Sequence, residues 1–499
     1  MTIKIGTGRS STIAATAAVV AAVTCARANA APVTVDEGTY TAQATAVLRG
    51  RLAPYTYFYD HPPLGWLQAA PAVALQHLLH LPGSAIAAVR IIVAMAVFAD
   101  AVLVYALCRR LSLPPWPAAI AGVWFACSPL TTSLLHHVYL EAFAVPWILA
   151  AFLAGIGARP GWRAIAAGML LGVAALSKES ALLFVPALVA LVAASCPQLL
   201  RRRAIMHLAG GLTGVLVLYP LFAALRGELF VFVRTAGWQL IGRQGSGVLW
   251  DTHSGRFTAV ASWTTADPLL VTLGLAAGIA LAMTKDRRWL GLAVLVPTMI
   301  VVKPGGYLPG MFAAVLVPFL ALAAALGGWL LWQRVSRRAW VRVAAVAVAT
   351  LVVAGCSVRV AATGQGDGTA RGLAIARWVE ANVPRSSGVL VDDELFAQLY
   401  ADGRDPWREV ILVEKLDFDR TASARWPGGW QHVDVVVLSP RLRRQVGLTQ
   451  AVQAQRAVAA GVVVGRPAAD VLVLRVCHVC GDATGSYEGS ETHTVRPGR

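Results

Sequence analysis

Charge is what this 499-residue sequence has least of: 14% of its residues are Asp, Glu, Lys or Arg, 57% are hydrophobic, and the mean hydropathy is +0.62. So few charges cannot clothe a water-soluble enzyme. Acids are scarcer than bases, 26 against 43, a surplus that would ordinarily suggest nucleic acid. Its location excludes that partner, because residues 1–342 hold 26 basic and 10 acidic residues while residues 343–499 hold 17 and 16. The excess belongs to the apolar part. Cysteine is also sparse and odd in number, seven in all, with Cys25, Cys108, Cys127, Cys196 and Cys356 in apolar segments, where a thiol behaves as a small hydrophobe. Only Cys477 and Cys480 stand outside, and no second ligand pair at zinc-finger spacing accompanies them. A local disulfide, two free thiols or a redox pair are the readings left. Internal repeats, expected of many transporters, are absent.

Charge-free stretches occupy 91–108 (broken by Asp100), 111–135, 142–158, 164–177, 180–200, 208–225, 268–284, 289–302, 304–333 and 343–358. With a segment at 11–31, this gives an α-helical polytopic membrane protein of about eleven transmembrane helices. Alternate loops sort by charge. Lys4/Arg9, Arg109/Arg110, Arg159/Arg163, Arg201 to Arg203, Lys285/Arg287/Arg288 and Arg334/Arg337/Arg338/Arg342 face one acid, Asp286, and are cytoplasmic by the positive-inside rule. The remaining loops balance acids and bases and face outward. The N-terminus is then cytoplasmic, although 11–31 also reads as a secretory signal peptide. Either way residue 36 lies outside, in a cell-membrane protein.

The membrane region runs over 1–361, with a first outer loop at 32–85 and a long one at 226–267. A Gly-rich stretch at 361–369 leads into a small extracytoplasmic α/β domain, 362–480. Its helices are expected at 370–382, near 394–400 and at 441–460, its strands at 388–391, 410–413, 433–438, 462–465 and 471–476. Residues 481–499 carry no apolar pattern and read as a disordered tail.

The first outer loop concentrates the chemistry: Thr34-Val-Asp36-Glu37-Gly38, a short helix, Arg49-Gly-Arg51, then Tyr57-Phe-Tyr59-Asp60-His61-Pro62-Pro63. On its own, Asp36 reads equally as a helix N-cap in a solvated loop. Elsewhere on the outer side stand His136-His137-Val-Tyr139-Leu-Glu141, Ser177-Lys178-Glu179 and Lys303-Pro-Gly-Gly-Tyr307-Leu-Pro309. Lys178 and Lys303 either meet a phosphate or snorkel from helix ends. Arg90 has the same two readings. Asp100, costly at mid-depth, should face the bundle and have a partner. Trp238, Trp250, Trp263, Arg234 and Arg243 on the long loop suit recognition of a sugar or headgroup, or an interfacial aromatic belt.

In this order and on this side, the motifs resemble those of the polytopic C-type glycosyltransferases that use polyprenyl-phosphate sugars, in the branch of the protein O-mannosyltransferases and the lipid A aminoarabinose transferase. The resemblance covers roughly 11–360. It implies a membrane glycosyltransferase that moves a sugar from a polyprenyl-phosphate donor to an extracytoplasmic protein, lipid or cell-wall glycan by inverting displacement. Asp36 would be the base, with Glu37 orienting it or binding acceptor; Asp60, His61, His137, Glu141, Lys178, Lys303, Tyr307 and Arg90 would bind substrate. His61 stands where Lys is common and Glu141 where Asp is usual. Asp36, Asp60 and Glu141 would together suit a divalent cation, Mg²⁺ or Mn²⁺, although their spacing is no metal motif. A transporter or channel is the competing class, with Asp100 as a pathway residue; the gathering of polar residues in outer loops favours transfer chemistry.

Overall fold

An apolar segment in a bilayer satisfies its backbone by forming an α-helix. Each charge-free stretch between 91 and 333 coincides with helix in this computed structural model, which describes residues 20, 28–335, 367–448 and 451–477. Ala85–Arg110, Gln198–Leu225 and Gly310–Arg334 are long and apolar enough to cross a membrane. The first, at 1.5 Å per residue, extends about 39 Å, beyond the roughly 30 Å of a hydrocarbon core. Leu140–Gly155, Trp162–Ser177, Glu179–Ser195 and Arg288–Val302 are shorter apolar helices. The expected span at 343–358, most of that at 11–31 and the tail from 481 lie outside the described residues.

Two helix pairs are bent, Pro115–Cys127 with Pro129–Leu135 by 54° and Gly255–Ala266 with Pro268–Ala282 by 102°. Both breaks precede a proline, which lacks an N–H and disfavours helix in the residue before it. That residue caps the new helix in each case: Ser128 accepts from the Leu130 N–H and Asp267 from the Leu270 N–H. The Ser128 hydroxyl also donates to Asp267 Oδ2 at 2.6 Å, tying one bend to the other. Asp100 faces inward and is fully buried, but neither carboxyl oxygen has a hydrogen-bond partner among the described residues, so the expected partner is not found there.

The chain divides into two compact units, Met1–Val379 with Asp393–Arg404, and Glu380–Asp392 with Asp405–Arg499. The second holds a five-stranded sheet: β1 (Val389–Val391), β2 (Val410–Leu412), β3 (Val435–Leu438), β4 (Gly461–Ala468) and β5 (Val471–Val476), in the order β2-β1-β3-β5-β4. β1 runs parallel to β2 and β3; β5 is antiparallel to β3 and β4. Unbroken apolar runs in β1, β2 and β3 match strands covered on both faces, and Leu390, Ile411, Trp426, Val436 and Leu474 share one core. The helix expected over 441–460 is two, Pro440–Leu448 and Val452–Ala459. Cys477 is in a disulfide whose partner lies outside the described residues.

The boundary differs from the expected 362–480 because two helices of that stretch pack elsewhere: most of Ala370–Asn382, and all of Asp393–Ala401, belong to the first unit. Phe396 stacks on Tyr55 with centroids 5.4 Å apart, and Gln398 accepts from the Ala85 N–H at 2.9 Å. Gly38 lies so close to Asp393 that a Cβ there would sit 2.4 Å from its carbonyl oxygen.

Candidate active site

Helix Val35–Leu48 begins at Thr34 with a capping box, in which the Thr34 N–H donates to Glu37 Oε2 at 2.9 Å. The cap is only part of what Glu37 does. Its fully buried carboxylate accepts Arg90 Nε and Nη2, each at 2.7 Å, and the Val138 N–H at 2.9 Å, and His137 Nδ1 lies 2.9 Å away. Burial alone would raise its pKa; hydrogen bonds from His137 and Arg90 overcome that and hold it at about 2. Arg90 spends its other donors on the carbonyls of Ala31 and Pro32 and is itself fully buried. Arg90, expected at a substrate phosphate, is instead closed onto Glu37, and Glu37 has its lone pairs filled. Together they brace the start of the helix that carries Asp36.

Asp36 is half-buried and outside this ion pair. Burial raises its pKa above the ordinary aspartate value, against the opposing pull of Lys178, His61 and Arg243, and the Glu37 charge adds to the rise. Lys178, at the end of Trp162–Ser177, is buried with its Nζ 3.4 Å from Glu179, 3.8 Å from Glu141 and 3.4 Å from the His61 ring nitrogens. Burial disfavours its charge, yet Glu179, Glu141 and Asp36 win and raise its pKa. His61 Nδ1 is 3.2 Å from Glu179. Four separate segments thus bring Asp36, His61, Glu141, Lys178 and Glu179 together.

Aromatic rings wall this cluster. Tyr40 stacks on Trp66 at an interplanar angle of 4° and meets His61 edge-on. The Tyr57 and Tyr219 hydroxyls lie 2.8 Å apart and 2.8 and 3.0 Å from the His61 carbonyl, three contacts that share two O–H protons, so one hydroxyl donates to the carbonyl and the other to the carbonyl or to its neighbour. Tyr59, buried and at φ +60°, donates to Glu228, which Arg226 also holds. Burial raises the Tyr59 phenol to about 12. Asp60 is exposed, and its carbonyl accepts from Gln239. Tyr307 lies under Arg243, whose guanidinium carbon is 3.5 Å from the ring centroid. Lys303 is exposed and has no ion pair among the described residues. Arg49 stacks at 4.0 Å on Tyr400 and donates to its carbonyl.

The donor set does not fit the expected cation. Among the described residues no three His, Cys, Asp or Glu side chains gather as a metal ion requires. The ammonium of Lys178 is the cation facing Glu141, and it pulls on Asp36 as well. Sequence reading offered Arg243 only as one recognition residue of the long loop and missed Tyr219 and Glu228 as parts of the site; for Glu179, its place next to Lys178 was the local signal.

Residues 60–223 match the sequence model of the family described as Dolichyl-phosphate-mannose-protein mannosyltransferase. The match takes in Asp60, His61, Arg90, His137, Glu141 and Lys178, while Asp36, Glu37, Lys303 and Tyr307 fall outside it. The fold is similar to that of ArnT from Cupriavidus metallidurans bound to undecaprenyl phosphate, with TM-score 0.62 and 16% identity over 94% of this chain and 98% of that one. The chain resembles the C-type glycosyltransferases in sequence and in fold. The apo state of the same ArnT gives TM-score 0.57 at 15% identity, over 93% of this chain and 97% of that one. The arabinofuranosyltransferase AftD from Mycobacteria gives 0.51 at 17% identity over 93% of this chain but 39% of that larger one. Comparison with curated protein sequences gives no match.

Proposed function

We propose that this chain is an integral-membrane glycosyltransferase that moves a sugar from a polyprenyl-phosphate donor to an extracytoplasmic hydroxyl acceptor. The observation that carries the reading is Asp36, a half-buried carboxylate of raised pKa, held by the Glu37–Arg90 brace beside the cations Lys178 and Arg243 and beside His61. ArnT, whose fold this chain shares, has been seen with undecaprenyl phosphate, which supports the donor class.

In the proposed reaction the acceptor oxygen attacks the anomeric carbon as its proton passes to Asp36. The carbon–oxygen bond to phosphate breaks on the opposite face, inverting the centre, and polyprenyl phosphate leaves with the bonding electron pair. The charge that grows on the leaving group is met by Lys178, Arg243 and Lys303, where fixed cations in a poorly hydrated site act most strongly. A positioned base contributes about 10²- to 10⁴-fold. Tyr57, half-buried and backed by the buried Trp66, gives an aromatic face a sugar ring packs on. No step passes through a metal. The topology has about eleven spans, a cytoplasmic N-terminus and the β-sheet unit outside.

The test is to reconstitute the purified chain with a panel of polyprenyl-phosphate sugars and cell-envelope acceptors and follow sugar transfer by mass spectrometry. Release of polyprenyl phosphate coupled to a glycosylated product supports the reading. Intact donors throughout the panel would count against it.

A further inference from the structure

A buried guanidinium usually has a carboxylate beside it. Arg256 does not: it is 1% exposed and forms no ion pair among the described residues. It donates instead to carbonyl oxygens of three pieces of chain. Nε reaches Gly247 at 3.0 Å; Nη1 reaches Ile300 and Val301, each at 2.8 Å; Nη2 reaches Gly305 at 2.6 Å and Gly306 at 2.9 Å. Ile300 and Val301 end helix Arg288–Val302, so the cation also meets the negative end of a helix dipole.

The Gly-Gly turn is built for this contact. Gly305 and Gly306 both sit at φ +73°, a conformation costly for other residues, and both of their carbonyls end on Arg256. The long loop closes on the turn from the other side. The Ser246 N–H donates to the Gly306 carbonyl at 3.0 Å and the Leu308 N–H to Ser246 Oγ at 2.9 Å, while Arg243 covers Tyr307.

We propose that Arg256 is a positioning residue that clasps the 242–247 loop to the 303–307 turn and so presents Arg243 and Lys303 to an anionic phosphate. This rests on the proposed function, since the phosphate is the donor's. Only arginine's planar fork with five N–H donors can span the three segments; a lysine ammonium has three donors at one point.

The test uses the full chain in detergent and two readouts, hydrogen exchange without ligand and binding of undecaprenyl phosphate. Arg256→Lys and Arg256→Met should speed exchange over 243–256 and 303–309 alone, and weaken binding roughly tenfold or more, as the loss of one charge-assisted contact does. Gly306→Ala, whose added Cβ meets nothing within 4 Å, perturbs only the turn and should give the same pattern. It and Arg256→Lys carry the test if Arg256→Met does not fold. Unchanged exchange in these variants overturns the clasp; faster exchange with wild-type affinity overturns its role in presenting cations. A wild-type chain that binds no polyprenyl phosphate overturns the proposed function and the presentation with it, and the ligand-free exchange tells that outcome from failure of the clasp.

Discussion

Replacing Glu37 by Gln removes the charge from a carboxylate whose partners cannot turn to solvent. Arg90 would then be a buried cation with no anion, facing an amide that can accept at only one of its two former carboxylate positions. Two routes give the size of the effect. Displacement of the Glu37 pKa from 4.5 to about 2 corresponds to about 3 kcal/mol of folding free energy. Breaking a buried ion pair by removing one partner costs about 3 to 5 kcal/mol in other proteins. Both imply a fall of roughly a hundredfold or more in the folded-to-unfolded ratio. The assay is thermal unfolding in detergent of the wild type, Glu37→Gln, Arg90→Met and the double variant Glu37→Met with Arg90→Met. Each single change should destabilise strongly. The double change should cost less than the two singles summed, because it leaves no lone charge. A depressed carboxyl stabilises the fold above its unfolded pKa and loses that contribution as pH falls from about 4.5 toward about 2, so wild type and Glu37→Gln should converge in acid. A Glu37→Gln variant that melts like the wild type at neutral pH but has lost its rate would refute the reasoning and make Glu37 a participant in the chemistry.

The acid limb of kcat/KM should reflect Asp36, lying above the ordinary aspartate range and losing rate as pH falls. Because Lys178 lowers the Asp36 pKa, Lys178→Met should move that limb to higher pH, and an unmoved limb in a pH–rate profile would separate the two residues. Lys178→Met and Lys303→Met should each lower kcat/KM by roughly ten- to 150-fold, in kcat as well as donor KM; steady-state kinetics in which neither variant changes would remove both from the leaving phosphate. A Cys placed in the Arg371–Arg385 stretch should react with an impermeant maleimide in whole cells, and labelling only after lysis would contradict the outward placement.

Helix positions were legible because charges punctuate this sequence: Arg109 and Arg110 end one helix, and Lys178 and Lys303 cap two others. The bends were not, since a hydropathy run reads straight through Ser128 to Pro129, and only the Ser128–Asp267 bond across 139 residues shows what those breaks hold together. The C-terminal strands follow from runs of Val and Leu. That Asp393–Ala401 leaves its own sheet for the helix bearing Asp36 depends on Gly38 having no side chain, which a reading of local pattern cannot weigh. In the site, the segments were legible and the pairings were not. Asp36 and Glu37 are adjacent in sequence, yet a buried Arg90 takes one carboxylate into the frame and leaves the other beside the cations. Arg256 gave no sequence signal, because its partners are backbone carbonyls.

The most direct measurement is single-turnover release of polyprenyl phosphate by the wild type and by Asp36→Asn, with the same donor and acceptor and with matched melting curves. The expected result is transfer by the wild type and a fall of about 10²- to 10⁴-fold in the variant, with donor binding retained. Transfer by Asp36→Asn at close to the wild-type rate would contradict the assignment of Asp36 as the base.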